Sequence, residues 1–267
     1  MTVENPDRLL RTALECARAA GELLRRLTRE GFRVSSKSAK HDLVTTADLE
    51  SEKLIVDGIR AAHPGHDIEA EEGKYPKTGS PVCWHVDPVD GTANFAKGVP
   101  FFCVSVAAVL DGEPVAAVVH DPSRGETFWA TAGGGAFLDG ERIHVSAARR
   151  IDEAMLSTGF HYDRGERMAE NVDSILRFYR DGAMEIRRLG STALEMAYVA
   201  AGRLDGYWED QQRSWDIAAG ILLVREAGGR ATDRDGADLT ARTSYTVASN
   251  GHLHGTILAT IRAGRPA

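Results

Sequence analysis

The segment WHVDPVDGTANF, residues 84–95, places Asp87 and Asp90 three positions apart at the end of a strand-like run. Like charges held this close repel, and each raises the pKa of the other unless a cation lies between them. Pro88 fixes the bend between the two acids, and Val89 can offer its backbone carbonyl as a further oxygen ligand. The segment alone leaves two interpretations open, a solvated turn and a cation site.

Two further acidic groups lie at the ends of predicted elements. EAEEG, residues 69–73, contains Glu71 and Glu72, and Asp216 lies in the first turn of a predicted helix whose N-cap is Ser214. Singly, the glutamates could form a solvated turn, and Asp216 could complement a helix dipole. Together these acids fit Mg²⁺, which prefers oxygen ligands and lies beside substrate phosphate; two such ions can act on one phosphoryl group. The predicted cluster consists of Glu71, Glu72, Asp87, Asp90 and Asp216.

The residues after the second aspartate suit a phosphate. If a helix begins at Gly91 and Thr92, its free N–H groups point at whatever lies beside the metal ions. Gly91 allows the backbone to approach closely. The Thr92 hydroxyl could orient a water molecule if another acid accepted its proton.

The surrounding pattern predicts a layered α/β protein. Helices are predicted near residues 5–30 and 47–62. Between them and the C-terminal half, short apolar runs with Asp-Gly turns at 111–112 and 139–140 predict a partly antiparallel meander. After about residue 146 helices and strands alternate. We therefore expect an N-terminal part, 1–145, and a C-terminal part, 146–267, joined in one compact unit.

Composition excludes several classes of function. The 267 residues carry a net charge of −7, which argues against nucleic acid as an obligatory partner. No apolar run approaches the ~20 residues of a membrane span, and no signal peptide is evident. Three widely spaced cysteines predict reduced thiols in a cytoplasmic protein. An acidic enzyme for an anionic substrate is reasonable if metal ions neutralise its site.

Other catalytic motifs are absent from the sequence. D-x-x-D-x-T is one residue longer than the D-x-D-x-T of aspartyl-nucleophile phosphatases, and the calcium-loop, P-loop, HExxH, CxxC and GxSxG patterns do not occur. His252 and His254 could chelate a metal, but we interpret them as surface histidines near a C-terminal helix.

DPVDGTANF and SWDIAAG resemble the two signature segments of the inositol monophosphatase family, and EAEEG resembles its G-E-E-S-like element. The resemblance runs from the first helix to near the C-terminus. It implies the α+β fold shared with fructose-1,6-bisphosphatase, a layered α-β-α-β-α sandwich. In that fold the N-terminal sheet is mixed and largely antiparallel, and the C-terminal half is α/β.

The resemblance also implies a role for each site residue. The first metal would be bound by Glu71, Asp87 and the Val89 carbonyl, and the second by Asp87, Asp90 and Asp216. A third, weaker ion would lie near Glu71 and phosphate. Thr92 with Asp48 would position the attacking water, and Gly91 and Thr92 would bind the phosphate. Lys37 would lie on a loop near the metals. The alcohol part of the substrate would contact Glu209, Thr192, Asp90 and Asp216.

The expected activity is Mg²⁺-dependent hydrolysis of a small polyol or sugar phosphate by direct water attack, with inositol 1-phosphate as the first candidate. Histidinol phosphate, fructose 1,6-bisphosphate and 3′-phosphoadenosine compounds remain alternatives. Arg213, beside the site, could favour a substrate with a second negative charge. A regulatory binding protein that retains the fold is a different class, since some bacterial relatives associate with transcription machinery. The resemblance further implies a homodimer and inhibition by lithium.

Overall fold

The protein is described by a computed structural model over residues 4–36, 43–160, 165–242 and 244–263. Lys37 lies outside the described residues. The helices are α1 (Pro6–Glu30), α2 (Thr46–Ala62), α3 (Thr92–Lys97), α4 (Glu166–Arg180), α5 (Thr192–Ala200), α6 (Ser214–Glu226) and α7 (His254–Arg262). The strands are β1 (Val34–Ser36), β2 (Leu43–Thr45), β3 (Asp67–Ala70), β4 (Val82–Asp90), β5 (Cys103–Leu110), β6 (Glu113–Asp121), β7 (Glu126–Thr131), β8 (Gly135–Leu138), β9 (Glu141–Arg142), β10 (Met155–Thr158), β11 (Glu185–Arg187), β12 (Gly206–Gln212), β13 (Arg230–Thr232) and β14 (Ser244–Ser249).

A seven-stranded sheet has the order β3-β4-β5-β6-β7-β8-β9. Only the β3–β4 pair is parallel; every later pair is antiparallel. The predicted hairpin turns are present, because Asp111 and Asp139 have φ of 50° and the glycines after them have φ of 90° and 93°. Both residues of such a turn need positive φ, which Asp-Gly tolerates. The mixed, largely antiparallel sheet is therefore confirmed.

A five-stranded sheet forms the C-terminal half, in the order β11-β10-β12-β14-β13. β10 pairs in parallel with both β11 and β12, whereas β14 is antiparallel to β12 and β13. Helices cross between its strands, as the alternating pattern predicts.

Three buried apolar clusters lie between five layers. The first joins α1 and α2 to one face of the seven-stranded sheet, through residues such as Leu24, Ile55 and Trp84. The second contains α5 and α6 between the two sheets, and the third joins the outer face of the five-stranded sheet to α4 and α7. The α-β-α-β-α order is thus as predicted. Within the described part of the chain, no helix has the length and apolarity that crossing a bilayer requires.

Candidate active site

The turn from β4 into α3 carries the first two acids. The β4–β5 register shifts between Asp87 and Asp90, which is where Pro88 interrupts the ladder. The Asp87 carboxylate accepts a hydrogen bond from the Val89 N–H at 3.0 Å. Both acids are buried, with 2% and 8% of their surface exposed. The sequence thus folds locally into a bulged strand end that holds two carboxylates out of water.

Gly91 is required by both its conformation and its neighbours. Its φ is 95°, and a Cβ there would lie 3.1 Å from the Phe101 carbonyl oxygen and 3.2 Å from that of Gly190. The helix α3 begins at the next residue, Thr92. The N–H groups of a first helical turn lack acceptors within the helix. The predicted helix start beside the two acids is therefore present.

Four carboxylates act electrostatically on one another in this region. Burial raises the pKa of Asp87 well above its ordinary value, and Glu71, Asp90 and Asp216 raise it further. Burial, then Asp90 and Glu71, raise the pKa of Asp216 in the same way. Burial also raises the pKa of Asp90 to about 6, despite the hydrogen bonds that oppose the shift. The group is a concentration of negative charge that a bound cation would relieve.

Asp90 links the N-terminal half to α5. Its carboxylate accepts hydrogen bonds from the Ser191 hydroxyl at 2.7 Å, the Ala193 N–H at 2.6 Å and the Thr192 N–H at 3.2 Å. These N–H groups belong to the first turn of α5, where an anion is favoured. Asp90 is thus oriented by residues about a hundred positions away, and the orientation depends on how the two halves pack.

Thr92 and Asp48 meet as predicted. The Thr92 hydroxyl lies 3.0 Å from an Asp48 carboxylate oxygen and 3.0 Å from the Val89 carbonyl, so its single proton has two acceptors. The other Asp48 oxygen accepts hydrogen bonds from the hydroxyl of Thr45 and, at 2.9 Å, from its N–H. Asp48 is fully buried, and burial raises its pKa. The capping box of α2 therefore holds a buried carboxylate against the Thr92 hydroxyl.

The start of α6 differs from the sequence prediction by one residue. Arg213, not Ser214, is the N-cap, and its N–H donates to the Asp216 carboxylate at 2.7 Å. The Ser214 hydroxyl instead donates to Glu69 at 2.7 Å. The prediction of Ser214 as N-cap was wrong because a tertiary partner took its hydroxyl. Asp216 nevertheless lies in the first turn, as expected.

Glu209 and Thr192 share a buried polar network. Glu209 is 8% exposed, and burial raises its pKa to about 7. It accepts a hydrogen bond from the Tyr207 hydroxyl at 2.5 Å. The Thr192 hydroxyl donates to Gln212 at 2.7 Å and lies 2.9 Å from that of Tyr207. Glu209 is therefore a buried acid, and an exposed strand-end position for it is excluded.

The Glu72 N–H donates to Glu52 at 2.7 Å, and Glu72 lines a depression beside α2. One sequence interpretation, that of His254, needs revision. His254 is a buried histidine, not a surface one: its ring nitrogens lie 2.8 Å from the hydroxyls of Thr232 and Ser249. These two hydroxyls account for both ring nitrogens, so His254 has a structural role.

Sequence reasoning missed several residues that orient the site. Thr45 forms a T-x-x-D capping box that the sequence already contains. Tyr207 precedes Glu209 by two, a spacing that places both on one face of a strand. Ser191 and Glu195 carried no local signal. Glu195 is buried and accepts hydrogen bonds from the N–H groups of the loop at 189–191, and burial raises its pKa to about 8.

The donors of the site are chemically uniform. Carboxylates of Glu71, Asp87, Asp90 and Asp216, with the Val89 carbonyl on the same turn, offer only oxygen. Oxygen donors of this kind suit hard divalent cations such as Mg²⁺. A cation would also relieve the repulsion that, together with burial as the larger cause, raises the pKa values of Asp87 and Asp216. The residues present therefore fit such an ion.

Comparison with known proteins identifies the family of the chain. The sequence model of the Inositol monophosphatase family matches residues 5–265. The chain belongs to the inositol monophosphatase family. It is therefore a phosphatase of that superfamily, a phosphoric monoester hydrolase with a phosphate ester as its substrate.

Individual relatives are similar over nearly the whole chain. Nus factor SuhB of Escherichia coli strain K12 is 41% identical over 95% of this chain and 96% of its own. An inositol-1-monophosphatase of Synechocystis is 39% identical over 92% of this chain and 85% of its own. The crystal structure of the suhB protein from Bartonella henselae aligns with a TM-score of 0.91 at 36% identity, covering 96% and 99% of the two chains. Fold and family are thus shared, while the names of these relatives differ.

Proposed function

We propose that this chain is a Mg²⁺-dependent phosphomonoesterase that hydrolyses inositol 1-phosphate or a similar small polyol or sugar phosphate. The observation that carries the proposal is the meeting of four interacting carboxylates with the Thr92–Asp48 hydrogen bond at the start of α3. Family membership supports the same reaction class. The relative from Synechocystis, named inositol-1-monophosphatase, supports the choice of alcohol.

Two to three Mg²⁺ ions per subunit would be bound by the carboxylates. Glu71, Asp87 and the Val89 carbonyl would hold the first, and Asp87, Asp90 and Asp216 the second. A third, weaker ion would lie near Glu71 and phosphate. When bound, such ions neutralise phosphate charge, stabilise the leaving oxygen and lower the pKa of water.

The protein's own groups would orient the attacking water and receive its proton. The Thr92 hydroxyl donates to Asp48, so a lone pair of its oxygen can accept a hydrogen bond from water. The proton then moves from water to the Thr92 oxygen as the Thr92 proton moves to Asp48. Burial raises the pKa of Asp48, which makes it a stronger acceptor. The N–H groups of Gly91 and Thr92 would hold the phosphate oxygens.

Recognition of the alcohol falls to the second half of the site. The Glu209 carboxylate would accept hydrogen bonds from ring hydroxyls, beside Thr192 and the metal-binding acids Asp90 and Asp216. Its position is held by the Tyr207 hydroxyl. Arg213 is exposed next to Asp216, where its charge would favour an ester with a second anionic group. The choice of substrate is therefore between the phosphate ester of an uncharged polyol and a phosphate ester that carries a second anionic group.

The test is phosphate release by the purified chain with Mg²⁺ on a panel of esters. The panel contains inositol 1-phosphate, fructose 1,6-bisphosphate, histidinol phosphate and 3′-phosphoadenosine 5′-phosphate, with EDTA as the metal-free control. We expect Mg²⁺-dependent release and a preference for inositol 1-phosphate. Release that persists in EDTA, or in Asp87→Asn at the wild-type rate, would refute the mechanism; preference for another ester would refute only the substrate.

Three further expectations accompany this proposal, two from the family resemblance and one, the single unfolding unit, from the pattern of the sequence. We expect a homodimer, measurable by light scattering, with residues 1–145 and 146–267 unfolding together as one unit. Lithium should inhibit hydrolysis in competition with the second Mg²⁺, and Asp216→Asn should change this inhibition. Sedimentation as a monomer, or lithium-insensitive turnover, would contradict the corresponding expectation without affecting the acid cluster.

A regulatory role is a second candidate, because a relative 41% identical to this chain is named Nus factor SuhB. The retention of all four acids favours catalysis, since binding a partner alone does not require them. A pull-down with catalytically inactive Asp87→Asn would separate the two roles: specific capture of transcription proteins supports regulation, and its absence supports an enzyme alone.

A further inference from the structure

A second group of potential metal ligands lies at the edge of the seven-stranded sheet. β3 and β4 run parallel, with Glu69 directly beside His85 and with Cys83 two residues earlier on β4. Residues two apart on a strand point to the same face. A Glu69 carboxylate oxygen, the Cys83 sulfur and a ring nitrogen of His85 all lie within 4.8 Å of one another. Three different donor types thus converge on one point of the sheet face.

One buried ring nitrogen of His85 is without a hydrogen-bond partner in the part of the chain that the structure describes. His85 is 5% exposed, and its Nδ1 atom is buried without a hydrogen-bond partner among the residues that the structure describes. Buried polar side-chain atoms are nearly always hydrogen-bonded, and an exception calls for a reason such as an ion. His254, by contrast, has both ring nitrogens beside hydroxyls. The unpaired Nδ1 atom of His85 therefore distinguishes this group from a chance cluster of ligand-type residues.

The same point already attracts a cation. The Lys77 ammonium lies 3.4 Å from the Cys83 sulfur and 3.5 Å from Oε2 of Glu69. The Lys77 side chain is 50% exposed, and exposed ion pairs of this kind contribute little to stability because water screens them. Lys77 can therefore swing into solvent when a more strongly bound cation arrives. Arg242 lines the same groove and is also exposed.

We propose that Glu69, Cys83 and His85 form a binding site for a Zn²⁺-like divalent cation, separate from the carboxylate site. Zn²⁺ binds thiolate, imidazole and carboxylate together, whereas Mg²⁺ requires oxygen. Zinc–ligand bond lengths in tetrahedral geometry place the ligand atoms roughly 3.5 Å apart. Side-chain movements of about 1 Å would therefore complete the site. Three protein ligands leave the fourth position for water.

A neighbouring contact orients one of the ligands. The Ser214 hydroxyl donates to Oε1 of Glu69, which leaves Oε2 directed at Lys77 and the cation position. Loss of a hydrogen bond of this type to a metal ligand commonly lowers metal affinity about ten- to a hundredfold. Ser214 therefore acts as a positioning residue for the proposed site, although it does not touch the cation.

The test uses Co²⁺ as a spectroscopic substitute for Zn²⁺ in the full chain, with Mg²⁺ in excess to occupy the carboxylate site. Cobalt bound to a thiolate gives a sulfur-to-metal charge-transfer band in the near ultraviolet, and cobalt bound to carboxylates does not. We expect one Co²⁺ per chain with this band, and its loss when Zn²⁺ is added. Cys83→Ser should abolish the band, and Cys16→Ala, which removes a distant buried thiol, should retain it.

Two further variants keep the test decisive if Cys83→Ser folds poorly. His85→Gln should weaken Co²⁺ binding at least about tenfold, by loss of one of three ligands. Lys77→Met should tighten binding, because it removes the competing ammonium. Absence of the band in the wild-type chain, its persistence in Cys83→Ser, or unchanged affinity in His85→Gln would each overturn the proposal.

Discussion

Removing one charge from the acid cluster should make the protein more stable than wild type without metal. With Mg²⁺ bound, the same variant should be less stable than wild type. Asp87 is the residue to change, because burial and three neighbouring carboxylates raise its pKa. In Asp87→Asn the amide oxygen can still accept the Val89 N–H, so the turn keeps its hydrogen bond. The substitution therefore tests repulsion with little change in packing.

The magnitude follows from Coulomb's law. A carboxylate pair about 8 Å apart at an effective dielectric constant of about 20 repels by roughly 2 kcal/mol. Proton uptake relieves part of this repulsion, so we expect a gain of about 1–3 kcal/mol in the unfolding free energy without metal. For a chain of 267 residues this raises Tm by about 2–5 °C. Wild type should instead gain about 4.1 kcal/mol, or about 7 °C, at a Mg²⁺ concentration one thousand times Kd.

The assay is thermal unfolding of both proteins in EDTA and in Mg²⁺. The order of the two Tm values should reverse between these conditions. The matched control is Asp205→Asn, since Asp205 is a buried acid that accepts hydrogen bonds from Ser146 and from the Met155 N–H at 2.7 Å. It should lose stability in both conditions and keep the wild-type shift with Mg²⁺. The reasoning fails if Asp87→Asn shows that same Mg²⁺ shift, or is less stable than wild type in EDTA.

Three other predictions test separate parts of the site. Gly91→Ala should lower the unfolding free energy by about 2–4 kcal/mol, because both the positive φ and the contact at 3.1 Å oppose a Cβ. Gly112→Ala, with φ of 90° in open space, should lower it by only about 1–2 kcal/mol. Equal losses would contradict the packing argument. Thr92→Val should lower kcat about 10²–10⁴-fold. Adding Asp48→Asn should then lower it little further, because the pair acts as one unit; additive losses would refute the proton path. Glu195, with a pKa of about 8 against an ordinary 4.5, keeps in the folded state a proton that the unfolded chain releases. Wild-type stability should therefore fall relative to Glu195→Gln as pH rises from about 4.5 to 8 in denaturant titrations, and parallel profiles would contradict this.

Local sequence patterns predicted the elements whose signals are long or periodic. The first two helices, the Asp-Gly hairpins and the meander of β4–β7 were all predicted close to their observed bounds. β10 and β13 were missed, because strands of four and three residues carry no periodic signal and owe their state to neighbouring strands. α4 was missed although it is amphipathic, since only Ser174 and Phe178 of its residues are buried.

The orientation of side chains was less predictable than their chemical type. A serine before a helix favours the N-cap, and Ser214 fits that rule locally. Its hydroxyl nevertheless binds Glu69, which comes from a strand 145 positions earlier in the chain. In the same way His254 resembled a surface residue until Thr232 and Ser249 were found at its ring. Such partners depend on packing between distant segments, and no local pattern reports them.

The sequence by itself determined the oxygen donors and the bulged strand, glycine and short helix that present Asp87, Asp90 and Thr92, because these depend on adjacent residues. It also determined the layered fold, through the alternation of apolar runs. Only the tertiary structure decided that Asp216 and Asp90 act on one another, and that α5 orients Asp90. Electrostatic repulsion and hydrogen bonding depend on distance in space, which only the packing of the two sheets around α5 and α6 establishes.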